Sequence, residues 1–433
     1  MNWRMRYGRN WGQLGMKYNV NIKKLSEVAD LTVGFVGSMA KHYVDEGVPF
    51  LRSTNIRKFK IDMSDIKYIS PEFNEKIKKS QLREGDVVIV RTGMPGACTV
   101  ILKEQEGWNC SDLVIIHPHK EKVLPLYIAA YVNYSTGIIN ANLVGAVQQH
   151  FNVGSAKNME IAVPSIEIQK KIVGIIQNIN EKLDINSRIN KNLEQQAKAV
   201  FKSWFEDFDP FDEPLIETPA GIYAPASLQM VQIANIPHVL ETGKRPKGGA
   251  VASGVPSIGA ENVKQLGVVN FSSAKFIPEE FAEKMKTGAI NGYELLLYKD
   301  GGKPGTFIPH FSMFGEGFPY QKFFINEHVF KLDFGDKGFN EFAYFFMQTD
   351  YAYHWLASNG GKAAVPGINQ QNVKDIWIFS PENSKVKEFG EWVQPLFTTI
   401  LKNCAQNVKL AELRDTLLPK LMSGELDVSD IEL

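Results

Sequence analysis

Between Arg52 and Arg91 ten basic residues stand against six acids, interleaved with Ser53, Thr54 and Asn55 and followed directly by Thr92. Cationic side chains neutralise phosphates, while Arg pairs bidentately with guanine and Asn or Gln with adenine in the DNA major groove. Arg52, Ser53, Asn55, Arg57, Lys58, Lys60, Arg91, Thr92 and Asn152 are therefore candidate DNA contacts, although the same mixture also suits an ordinary charged surface. Farther along, Lys303, Gln321, Lys322, Lys362, Asn369 and Gln370 fall in expected loops and form a more polar, less basic set.

Other chemistry finds no support. There is no G-x-x-x-x-G-K-[ST] loop, no G-x-G-x-x-G after a strand, no H-E-x-x-H and no Asn/Asp-Pro-Pro-aromatic motif. His117-Pro-His119 has no visible third ligand and reads as a strand end, so no metal site is expected. Cys98, Cys110 and Cys404 form no C-x-x-C pair and read as reduced, mostly buried thiols. No catalytic residue can be argued. No apolar run approaches the roughly 18 residues that span a bilayer, and the N-terminus lacks a signal peptide's apolar segment, so a cytoplasmic protein without a membrane partner is expected.

The elements that must position the polar residues come from an internal repeat. Gly47-Val48-Pro49 recurs as Gly254-Val255-Pro256, and the same offset of 207 carries Asn55 to Asn262, Pro71 to Pro278, Glu72 to Glu279 and Gly85 to Gly292. Later the offset is 217, carrying Asn152 to Asn369, Lys157 to Lys374, Ile161 to Ile378 and Pro164 to Pro381. Ten residues were gained in the second copy. Each copy begins with short apolar, strand-like runs such as 86–90, 112–116 and 294–298, and glycine-rich turns at 92–96 and 300–305 follow the equivalent strand.

Each copy ends differently. From Ile166 to Phe205 there is no proline, and apolar residues recur at helical spacing for roughly 60 Å of helix. A 3.5-residue period runs through Ile172, Ile176, Ile179, Leu183, Asn186, Asn190, Leu193, Ala197, Val200 and Trp204. The offset of 217 reproduces it as Phe389, Val393, Leu396, Ile400, Asn403, Asn407, Leu410, Arg414, Leu417 and Leu421. Asparagines in such a seam penalise every register that leaves them facing hydrocarbon. An antiparallel pair would set Asn186 against Asn407 and Asn190 against Asn403; solvent-facing asparagines on a kinked helix are the bland alternative.

The expected organisation is mixed α/β in tandem repeats: an N-terminal extension at 1–17, disordered, within which Met16 offers an alternative start; β-rich domains at 18–163 and 228–380; long helices at 164–207 and 381–424; an acidic linker at 208–227; and an acidic tail at 425–433. Its 48 Lys and Arg balance 48 Asp and Glu. Residues 206–217 hold six acids and no base, and the tail holds four more, which leaves 48 bases against 38 acids elsewhere. Four of those bases lie in the extension, so the repeat units carry an excess of six. Such a mild excess suits a protein that shares its grip on DNA with partners.

The two-copy plan, the strand 85–93 (Gly-Asp-Val-Val-Ile-Val-Arg-Thr-Gly), the helix end 193–211 and the tail 417–425 (Leu-Leu-Pro-Lys-Leu-Met-Ser-Gly-Glu) closely resemble the specificity subunit of type I restriction-modification systems. The resemblance implies two target-recognition domains on an antiparallel coiled coil, each reading one half of a bipartite site in double-stranded DNA, with the helices setting the spacer. It implies no catalysis by this chain. Two methylation subunits would bring S-adenosylmethionine chemistry, and restriction (motor-nuclease) subunits would bring ATP and magnesium. By the same resemblance Phe201, Trp204, Phe205, Leu417, Leu421 and Met422 would face the methylation subunits. Two other readings stay open: a specificity polypeptide of a combined nuclease-methyltransferase system outside type I, and a nuclease with an unrecognised centre.

Overall fold

The computed structural model describes residues 18–93, 95–134, 151–271, 274–301, 303–361 and 365–431. The extension at 1–17 and Lys362 therefore lie outside the described residues. The chain divides into two compact units, residues 1–183 with 410–433, and residues 184–409. Where the sequence suggested separate helical segments, packing assigns each long helix partly to one unit and partly to the other.

In the first unit the apolar run Val87–Val90 is the inner strand of a four-stranded antiparallel sheet ordered Ala29–Val33, Leu113–Pro118, Val87–Val90, Cys98–Val100. Side chains alternate across a strand, and here both faces are covered. Val87, Ile89, Val114 and Ile116 join one core, whereas Val88, Val90, Leu113 and Ile115 join another. That explains an unbroken apolar run where a half-exposed strand would alternate. A second sheet is ordered Asn109–Cys110, Val48–Leu51, Lys67–Ile69, Tyr43–Val44, its first two strands parallel. Val20–Lys24 pairs with Glu160–Pro164, which leads directly into the first long helix, Ile166–Phe205. Buried Gln169 locks that junction: its amide donates to the carbonyls of Lys122 and Pro164 and accepts from Leu124 N.

The second unit repeats this plan. Val239–Thr242, Val329–Asp333, Leu295–Tyr298 and Phe311–Ser312 form the four-stranded sheet; Val255–Ile258 lies between Lys275–Ile277 and Phe324–Ile325; and Met230–Gln232 pairs with Trp377–Phe379. The shared Gly-Val-Pro has a plain cause. Gly47 and Gly254 sit at φ +151° and +144°, and a Cβ there would lie 2.4 and 2.3 Å from the carbonyl oxygens of Ile69 and Ile277. Strand register also locates the ten gained residues. Ile89 faces Cys98, but Leu297 faces Phe311, so the connection grows from nine positions to fourteen and five of the ten enter the glycine-rich loop.

The stretch read as a linker is folded. Leu215–Glu217 and Tyr223–Pro225 form a hairpin, and Phe208 and Phe211 pack on the second unit's core. In the tail, Val428 is buried in the first unit's core, and Lys171 Nζ donates to the Ser429 carbonyl. Among the described residues no helix is long and apolar enough to cross a membrane.

The second long helix, Ser384–Met422, runs antiparallel to the first within each unit. In the first unit Ile172 and Ile176 share a core with Leu418, Leu421 and Met422, while Ile179 is buried and Leu183 half-buried. Arg414, at a seam position, reaches Asn180 Oδ1 at 3.1 Å and stacks on Phe59. In the second unit Asn186 Nδ2 donates to Asn407 Oδ1 (2.8 Å) and Gln406 Oε1 (2.7 Å), and Asn403 Nδ2 donates to Asn190 Oδ1 (2.9 Å). Val393 and Ile400 are buried in that unit's core, with Leu193 and Leu396 packed against it, and Leu410, where the helix passes into the first unit, is half-buried.

Two outcomes follow from this packing. Asn186→Ala strands the acceptors of Asn407 and Gln406 and should cost about 1–3 kcal/mol in urea unfolding. Glu341, in the helix Lys337–Phe346, is fully buried, its carboxylate oxygens meeting no hydrogen-bond donor among the described residues, and burial pushes its pKa up to about 8. The unfolded chain therefore releases this proton first, so stability should fall as pH rises from the usual carboxylate range through 8. In melting curves across that window Glu341→Gln should flatten the loss.

Candidate nucleic-acid interface

The first unit gathers three of the predicted residues, Ser53, Arg91 and Thr92, around a carboxylate that no sequence pattern singled out. Asp112 precedes the strand Leu113–Pro118 in a left-handed conformation, φ +54°. Its carboxylate accepts the Thr92 hydroxyl at 2.6 Å and lies 3.2 Å from Arg91 Nη1, and its carbonyl accepts from Ser53 Oγ at 3.4 Å. Arg52 follows the neighbouring strand, where Ser111 N donates to the Leu51 carbonyl. Its Nη2 pairs with Asp65 Oδ2 at 2.7 Å, and Lys67 holds the other oxygen of the same carboxylate at 3.1 Å. Hydrogen bonds from Arg52 and Lys67 keep the Asp65 carboxyl below its usual range. The Nε atoms of Arg52 and Arg91 are both buried without a hydrogen-bond partner among the described residues. Arg57 bonds to the Thr54 carbonyl and pairs with Asp62, while Lys58 and Lys60 stand exposed.

Matching the strand ends where Val90 faces Leu113 and Tyr298 faces Val329, one residue away from the sequence offsets, puts Lys299 in the place of Arg91, Asp300 in that of Thr92 and His328 in that of Asp112. The pair of positions is kept and its polarity reversed. In the first unit a hydroxyl on the strand end donates to a carboxylate; in the second the strand end supplies the carboxylate, and His328 Nδ1 meets Asp300 Oδ1. Lys299 Nζ lies 2.8 Å from Asp300, and Arg245 Nε and His328 Nε2 converge on Glu327 Oε1 at 2.7 and 3.1 Å. Burial alone would raise the Asp300 pKa, but hydrogen bonds from Lys299 and His328 outweigh it and hold the carboxyl low. Beside this cluster a cleft of about 500 Å³ is lined by Lys264, Tyr298, Lys303 and His310 among others. Burial and Lys264 depress the His310 pKa.

Several predicted contacts have other roles. Asn55 is 2% exposed; its Oδ1 accepts from Arg52 N and its Nδ2 donates to the Asp62 carbonyl, so it braces the loop and cannot reach a base. Its repeat partner Asn262 is buried too and accepts from Asn270 N. Asn152 and Asn369 both N-cap short helices through Ser155 N and Asn372 N. Gln370 donates to the Leu240 carbonyl and Gln321 to the Gly317 carbonyl, and Lys322 is exposed. Among the described residues no three His, Cys, Asp or Glu converge as metal ligands. His117 and His119 instead meet Asp86 and Asp30. Cys98, Cys110 and Cys404 are free, and burial raises all three thiols.

The helix-end residues require a correction. Phe201 and Phe205 are 2% and 3% exposed, in an aromatic cluster with Phe342 and Phe389; Leu421 and Met422 are 2% and 1% exposed in the first unit's core. Trp204 and Leu417 are half-buried against the same cores, and Lys385 covers the Trp204 ring. Phe201, Phe205, Leu421 and Met422 thus pack within the units themselves, while Trp204 and Leu417 keep part of their surface exposed.

Residues 18–195 match the family described as type I restriction modification DNA specificity domain. The chain is 23% identical over 437 residues to the Type I restriction enzyme HindI specificity subunit of Haemophilus influenzae, covering 84% of this chain and 90% of that protein. It is 24% identical over 429 residues to the MjaIX specificity subunit of Methanocaldococcus jannaschii, covering 95% and 94%. Both relatives, each similar along most of the chain, are type I specificity subunits. The S subunit from M. genitalium shares the fold of this chain, with a TM-score of 0.56 at 14% identity over 95% of this chain and 98% of that one.

In this chain the repeat identities at Asn55, Asn152 and Gly47 mark scaffold, and the strand-end clusters mark difference. Asn55→Ala should lower the melting temperature of the first unit, because it unpins the Arg52–Asp65 loop. Lys58→Ala, exposed, should change stability by no more than about 0.5 kcal/mol. Equal melting shifts for the two variants would contradict the assignment.

Proposed function

We propose that this specificity subunit reads a two-part site in double-stranded DNA, one half per unit, and performs no chemistry itself. The observation that carries the reading is one scaffold used twice, with its polar strand ends refitted: Arg91, Thr92 and Asp112 in the first unit, and Lys299, Asp300 and His328 in the second. Readers of two different half-sites need a constant frame and a variable edge. Methylation and cleavage belong in this reading to two modification subunits and to motor-nuclease subunits, which bring S-adenosylmethionine, ATP and magnesium. The small basic excess of the repeats supports a shared grip on DNA. The antiparallel helices act as the spacer between the half-sites.

The purified chain should neither methylate nor cut DNA, and should confer sequence-specific adenine methylation once its modification subunits are added. Activity of the chain alone would refute this. Lengthening both long helices by seven residues should change the unspecific spacer while leaving both half-sites intact, as read by sequencing methylated DNA. Exchanging residues 18–163 for those of a relative should alter one half-site only.

A further inference from the structure

The Arg91–Asp112 couple has the wrong geometry for a stabilising ion pair. Arg91 offers Nη1 alone at 3.2 Å, where the planar guanidinium fork favours two parallel bonds, and its Nε is buried without a hydrogen-bond partner among the described residues. Ion pairs this near the surface add little stability. Asp112, by contrast, is held firmly. Thr92 Oγ1 binds one carboxylate oxygen, Ser53 Oγ binds its carbonyl, and its side chain is still 46% exposed. The Arg91 side chain is 18% exposed, and its carbonyl is fixed by Phe151 N. A guanidinium on an anchored backbone thus stands beside a fixed, accessible carboxylate at the edge where the repeats diverge.

We propose that Arg91 and Asp112 together read one G·C base pair in the major groove of the first half-site, Arg91 donating to guanine O6 and N7 and Asp112 accepting from the cytosine N4 amino group. The two edges lie side by side in one base pair, and each protein group has the complementary polarity. A phosphate cannot satisfy both, because Asp112 repels it. The couple therefore discriminates bases where an unpaired arginine would grip any backbone. In the second unit Lys299, Asp300 and His328 occupy these places with reversed polarity, so a different base pair is read there.

This inference rests on the proposed DNA reading, and one selection experiment separates the two. The full chain, assembled with the methylation subunits of its host, is mixed with a randomised duplex library, and retained duplexes are sequenced. Wild type should enrich a two-part site with a G·C pair in the first half. Arg91→Lys and the isosteric Asp112→Asn should each weaken selection for that pair by roughly tenfold or more, leaving the other positions and the second half-site unchanged. Undiminished G·C selection in both variants, a first half-site without G·C, or an even loss across all its positions would overturn the couple's role. A wild-type protein that enriches no two-part site would refute the DNA reading itself.

Discussion

An amide buried in a hydrocarbon seam is tolerated only where its donor and acceptor find partners. Asn186 with Asn407, and Asn190 with Asn403, meet that condition only when the helices run antiparallel in one alignment. Sliding either helix by a turn would bury amides against leucine and isoleucine. Asn190 Nδ2 adds a bond to the Ile400 carbonyl, which ties the amide ladder to helix backbone. The seam is therefore weaker than an all-apolar one but single-valued, which is the property a spacer requires.

On this frame each unit is built to be rigid where it matches its repeat and variable where it does not. Sheets buried on both faces hold the strand ends in place, and Gly47 and Gly254 admit the same close backbone approach that any side chain would block. At the strand ends the second copy takes five extra residues into its glycine-rich loop and exchanges Arg91, Thr92 and Asp112 for Lys299, Asp300 and His328. Electrostatics there are locally balanced. Arg52, Arg91, Lys299 and Arg245 each sit on a carboxylate, so any ligand at these edges must offer something better than the pair already made.

Much of this was legible in the residues, for identifiable reasons. The seam could be read because a 3.5-residue period leaves a linear trace and the repeat doubled it. The linker could not. Its acids describe the outer side of a hairpin, while Phe208 and Phe211, which anchor it, look unremarkable among them. The helix ends misled for a related reason: aromatic clusters suit an interface or a core equally, and only the helix Lys337–Phe346, bringing Phe342 and Phe345 against Phe201, decides for core. Asn55 was taken for a reader because it lies among arginines. Its identity in both repeats was the available signal, since readers of different targets should differ and scaffold should not.

The sequence by itself determined the duplication, the two long helices, their antiparallel register and the absence of a recognisable catalytic motif, because periodicity and repetition are properties of a linear order. Tertiary structure alone decided which polar residues share an edge. Arg91, Thr92 and Asp112 are neighbours because strand register sets Leu113 opposite Val90, a pairing across 23 positions that no local pattern encodes. Hydrogen-bond ladders between distant strands, and the burial they enforce, separated accessible edge residues such as Asp112 from bracing residues such as Asn55.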